Sequence, residues 1–192
     1  YYFRAYAVHA NGIAYSGEIA STTWPVRPDA PIAGDGSSGD PYHIASLEQL
    51  FWIAADESRW DKHYVQTADI NAAPVRGWFP GADGNFRGWM PVGYYRPSTQ
   101  ENAPFTGSYD GGSHAIDSLF IARPGESYIG LFGRANNAAF SSLRITNADI
   151  SGNYNCGALA GQVSNSDILY CHAEGNVTGI YSSTASATAI GG

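Results

Sequence analysis

The chain has 192 residues, a formal charge of −7 and an isoelectric point of about 5.0. Only 10 of its residues are Lys or Arg, too few for the basic stripe that neutralises phosphates, and this argues against a nucleic-acid partner. No apolar run approaches the roughly 20 residues of a membrane span. The 14% aromatic residues argue against disorder, while 23 Gly and 14% charged residues suit a turn-rich β protein.

Tyr1-Tyr2-Phe3-Arg4-Ala5-Tyr6 alternates like a strand, so no signal peptide is expected there. The chain opens mid-strand and closes on Ile190-Gly191-Gly192, and it reads as a piece of something longer. Residues 1–23 alternate on both sides of Asn11-Gly12, a hairpin signal. Residues 24–41 are rich in Pro and Gly and read as a linker. Residues 42–192 read as one domain, opened by a helix. There Ser46 and Gln49 stand in the S-x-x-Q capping relation, and Leu47, Leu50, Phe51 and Ala54 recur at helical spacing.

From about Phe105 the chain repeats itself. Ile116-Asp117-Ser118-Leu119-Phe120-Ile121 returns 24 residues on as Phe140-Ser141-Ser142-Leu143-Arg144-Ile145, and 28 further as Ile168-Leu169-Tyr170-Cys171-His172-Ala173. A staggered element, Ile129-Gly130-Leu131-Phe132-Gly133, matches Cys156-Gly157-Ala158-Leu159-Ala160-Gly161 and the start of a third at Ile190-Gly191-Gly192. Such periods indicate a solenoid, here of short strands stacked rung on rung. The spacing predicts one internal stack of Ile116, Phe140 and Ile168 and a second of Leu119, Leu143 and Cys171. Gly130, Gly133, Gly157 and Gly161 would turn corners where a Cβ would clash or where φ is positive.

These residues carry a resemblance. Phe105-Thr106-Gly107-Ser108-Tyr109-Asp110-Gly111, followed by the two glycine elements, resembles the GLUG-motif family. Pro41-Tyr42-His43-Ile44, Ala68-Asp69-Ile70 and Trp89-Met90-Pro91-Val92-Gly93 match that family's run-in. The resemblance covers about residues 34–192. It implies an all-β, right-handed parallel β-helix with an N-terminal capping helix, as in bacterial surface and secreted proteins. Those include adhesin-like proteins and the non-catalytic region of immunoglobulin-A-cleaving peptidases. Residues 1–23 are similar to the last hairpin of a fibronectin type III-like domain.

Stacking of the six-residue units would bring Phe120, Arg144 and His172 into one outward column, able to hold a glycan by stacking and cation–π contact or merely to form a surface ladder. Asp35, Ser37 and Asp40 place oxygens at a calcium-like spacing, but without the bidentate Glu of the twelve-residue loop, and they equally suit an ordinary turn. The five Trp would cover the stack's end or serve as a carbohydrate platform. Cys156 and Cys171 are expected as two buried free thiols. No cofactor is expected.

The function implied is a non-enzymatic extracellular structural or adhesive module, with other protein chains or host and cell-surface glycans as partners. One alternative is a filament subunit joined head to tail through the N-terminal hairpin. Another is a glycan-binding or polysaccharide-cleaving β-helix. Cleavage needs clustered carboxylates beside a Lys or Arg base, and the strands offer Asp117 and Arg144 but no cluster.

Overall fold

The computed structural model describes residues 27–96 and 99–179, and before them the backbone of four short strands. These are β1 (Tyr2–Phe3), β2 (Tyr6–His9), β3 (Gly12–Tyr15) and β4 (Ile19–Ala20). β2 pairs with β3, and β1 with β4, both antiparallel. His9 pairs with Gly12, so Gly12 opens the returning strand instead of sitting in the turn. Trp24 and the third glycine element, Ile190-Gly191-Gly192, lie outside the described residues.

The chain then runs through β5 (Tyr42–Ile44), α1 (Leu47–Ala54), β6 (His63–Gln66), β7 (Ile70–Asn71) and an antiparallel hairpin of β8 (Tyr94–Arg96) and β9 (Glu101–Ala103). A second pass holds β10 (Ser108–Asp110), β11 (Ala115–Asp117), β12 (Phe120–Ala122) and β13 (Phe132–Asn136). A third holds β14 (Ala139–Ser141), β15 (Arg144–Gly152) and β16 (Ala160–Ser164). The last described pass is β17 (Asp167–Leu169) and β18 (His172–Gly179). Strands make up 42% of the structure and helix 11%, so the protein is all-β. Each pass pairs in parallel with the one before: β5, β6, β10, β14 and β17 form one ladder, and β7, β11, β15 and β18 a second. A third joins β13 to β16.

The register makes columns. Tyr42, Tyr64, Tyr109, Phe140 and Ile168 stand one above another. The rings of Tyr64, Tyr109 and Phe140 meet Phe105 or Phe132 in the interior, with centroids 4.8 Å apart for Phe105 and Phe132 and 4.7 Å for Phe132 and Phe140. Ile70, Ile116, Ile145 and Ala173 form a second column, and Ile121, Ile150 and Val177 a third. Burying each such large side chain contributes about 1.5–3 kcal/mol.

The 28-residue match between Phe140 and Ile168 is therefore a true register, but the 24-residue match is not: Ile116 stacks on Ile145, and Phe140 on Tyr109. The cause is local. Ser118 (φ 61°) and Ser142 (φ 50°) both turn a corner in the left-handed region, each followed by a buried leucine, Leu119 or Leu143. Two different corners share one pattern, since β11 and β12 both pair with the single long strand β15. Leu143 and Cys171 are equivalent, whereas Leu119 belongs to another wall.

The corners repeat down the stack in this conformation: Tyr128 above Asn155, Asn137 above Asn165, and Ser142 above Tyr170. Asn tolerates it best among residues with a Cβ. The glycines of the repeat do not hold positive φ angles among the described residues. A Cβ on Gly130 would meet the Gly157 carbonyl, and one on Gly161 the Asn155 carbonyl, so close backbone approach demands them.

The helix begins as its sequence dictates. Ser46 Oγ accepts from Gln49 N at 3.3 Å, and Gln49 Oε1 accepts from Ala45 N at 2.8 Å. Leu47, Leu50, Phe51, Ile53 and Ala54 are buried, with Phe51 4.8 Å from Trp78 and 6.1 Å from Trp89. Beyond the helix, Trp60 Nε1 donates to Ile53 O at 2.9 Å. Trp60, Trp78 and Trp89 are buried and offer no exposed platform; Trp89 Nε1 donates to Leu131 O at 3.0 Å, inside the second pass. The expected linker is tied to the stack at two points, His43 N donating to Ala33 O and His63 N to Gly36 O, while residues 37–40 are exposed.

Candidate functional site

The expected outward column is not assembled. Arg144 stands beside His172, but on its other side lies Ala115; Phe120 stands beside Asp149, which pairs with Asn176. Phe120 instead lies under the Arg76 guanidinium at 4.4 Å, and Arg76 is ion-paired with Asp149 at 2.9 Å. Asp35 Oδ1 accepts from Ser37 N at 2.8 Å, and Ser37 Oγ from Asp40 N at 3.1 Å, the bonds of a turn. Both thiols are free. Cys156 is buried as expected, whereas Cys171 is only half-buried. Burial pushes both thiols above their ordinary pKa. Among the described residues no three His, Cys, Asp or Glu side chains gather as a metal-binding group.

The structure builds its cleft elsewhere. A groove of about 520 Å³ opens between the β8–β9 hairpin, the segment after α1, and the corners at Tyr128 and Tyr154. Tyr94 and Tyr95 reach it from the hairpin, and Arg123 and Glu126 line it from the loop after β12. The tyrosines form a chain of rings: Tyr95 meets Tyr128 at 5.7 Å and 89°, and Tyr128 meets Tyr154 at 5.9 Å and 71°. Behind them Arg134 lies 5.4 Å from the Tyr95 ring and 5.8 Å from that of Tyr128, while donating to Asn102 Oδ1 at 2.6 Å. The hairpin is thus pinned to β13.

Charges in the groove are paired. Arg123 donates to both oxygens of Glu126 at 3.1 and 3.2 Å and, through Nε, to Trp89 O. Arg96 meets Glu101 at 2.7 Å, and the Tyr94 hydroxyl donates to Glu57 at 2.6 Å, which raises that phenol's pKa. Neither a motif nor the repeat marks Tyr94, Tyr95, Arg123, Glu126, Tyr128 or Tyr154: Tyr128 directly precedes the first glycine element, but its counterpart before the second is Asn155, with Tyr154 one place earlier.

No protein-family profile matches the chain, and no solved structure matches it. The chain is similar to halomucin of Haloquadratum walsbyi, with 33% identity over 153 residues. The match covers 78% of this chain and spans 2% of the length of that curated relative. No helix among the described residues is long and apolar enough to cross a membrane.

Proposed function

We propose that the chain is a segment of a right-handed parallel β-helix of the GLUG type, serving as a rigid, non-enzymatic structural or adhesive element of a large extracellular or cell-surface protein. The observation that carries this is the parallel, in-register pairing of successive passes, with apolar columns running through all of them. Units that bury their faces only on one another form an elongated body whose length grows with the number of repeats. The likeness to a short stretch of the much longer halomucin, a surface-associated protein, supports the same reading. Antibody raised against residues 27–179 should label unpermeabilised cells that make the parent protein. Labelling that requires permeabilisation overturns the surface assignment. Hydrolysis or lyase activity on a polysaccharide panel, lost on changing one acidic residue, overturns the non-enzymatic one.

A further inference from the structure

The tyrosine groove is more elaborate than the stack requires. Between Tyr64 and Tyr109, neighbours in one column, the chain carries the β8–β9 hairpin; between Tyr109 and Phe140, the next neighbours, no hairpin is inserted. Inserted loops held on a rigid scaffold are where binding groups concentrate. The corner beside the hairpin is strained as well. Tyr128 holds φ 64°, a conformation that disfavours bulky side chains, at the place where the following pass uses Asn155. Phe79 and Tyr170 hold the same conformation, so what sets Tyr128 apart is that its ring lines the groove.

The ligand's chemistry follows from the lining. A volume of about 520 Å³ falls within the range of small-ligand sites. Among the described residues that line the groove, the two arginines, Arg96 and Arg123, each have a carboxylate partner, so neither is a spare cation for a uronate, a sialate or a phosphate; Arg134, held behind the rings by Asn102, is not part of the lining. It is not purely apolar either, since Tyr hydroxyls, Glu57, Glu126 and Asn153 ring it. Aromatic faces beside fixed acceptors suit a ligand with C–H faces and many hydroxyl donors. A proline-rich peptide would stack on the rings but leave those acceptors without donors. Rings set at 89° and 71° to one another also form walls around a compact ring, not a flat track for an extended chain.

We propose that the groove bounded by Tyr94, Tyr95, Tyr128 and Tyr154 binds a neutral saccharide, the sugar ring stacking on tyrosine and its hydroxyls donating to Glu57 and Glu126. This deepens the adhesive side of the proposed function and rests on it only for biological meaning. Failure of sugar binding leaves surface labelling unaffected, and the converse holds.

The test is calorimetric titration of the intact chain with neutral hexose and N-acetylhexosamine oligosaccharides, alongside oligogalacturonate and a proline-rich peptide. Binding is expected for a neutral saccharide, and Tyr95→Ala should weaken it about tenfold, the worth of one good aromatic contact. Tyr128→Asn is the decisive variant, because it puts the residue of the neighbouring corner at the strained position. It should keep or raise the melting temperature while weakening binding by a similar factor. A ring with a merely structural role would instead lower the melting temperature when removed. Absence of neutral-saccharide binding, binding that both variants retain, or preference for the uronate or the peptide overturns the proposal.

Discussion

Gln66 is 1% exposed, a polar side chain inside the described core, and its amide is satisfied on every side. Nε2 donates to Ala68 O at 2.8 Å and Ala115 O at 3.0 Å, while Oε1 accepts from the Tyr109 hydroxyl at 3.2 Å. The amide therefore ties β6 to β10 and β11 from within. Gln66→Leu strands the Tyr109 hydroxyl and two carbonyls, and should cost about 1–3 kcal/mol in urea unfolding. Adding Tyr109→Phe should return part of that loss, a coupling that a double-mutant cycle would measure. Asp117 shows the charged counterpart. It accepts from Thr146 Oγ1 and Asn147 Nδ2, both at 2.7 Å, and from Ser118 Oγ at 2.8 Å, and these bonds hold its pKa below the ordinary carboxylate value. A depressed folded pKa contributes stability at neutral pH, which is lost as pH falls through it. Wild type should thus exceed Asp117→Asn in stability at pH 7, with the gap closing below about pH 4; a gap independent of pH would contradict the assignment.

At the scale of elements, what was readable followed from local chemistry. The helix announced itself through Ser46 and Gln49, whose side chains now take two backbone N–H groups, and Ser46→Ala should lower stability by about 1 kcal/mol in thermal or urea melts. The stack of Phe140 on Ile168 was readable as well, because one full pass separates them. The stack of Ile116 on Phe140 misread a shared corner pattern as a shared level. An apolar residue, a left-handed Ser and a Leu describe how a corner is built, and this protein builds the same corner on two walls. Leu143 tests the corner directly, since its side chain is 1% exposed. Leu143→Asp should unfold the domain, because an unpaired buried carboxylate costs several kcal/mol; an unchanged melting temperature would count against the packing described. The tyrosine groove was hidden for another reason. Its walls come from the hairpin, the segment after α1 and two corners, a convergence that exists only after folding.

For the molecule as a whole, the parallel ladders fix the direction in which it yields. Hydrogen bonds between one pass and the next run along the axis of the stack, so tension applied between the β5 end and the β18 end pulls along those bonds. They then load a few at a time, unlike strands sheared past one another, where a whole ladder resists together. Corresponding residues such as Phe140 and Ile168, or Ile145 and Ala173, lie 28 positions apart. Detaching the pass from Phe140 to Ile168 should therefore release roughly 90–100 Å of extended chain, and the hairpin-bearing pass from Tyr64 to Tyr109 about 150–160 Å. Single-molecule stretching of the intact chain should show low-force steps of these unequal lengths; one high-force rupture would contradict this mechanical reading. A body with this response lengthens under load instead of rupturing at once, and each released pass has the neighbouring one as the template on which to pair again.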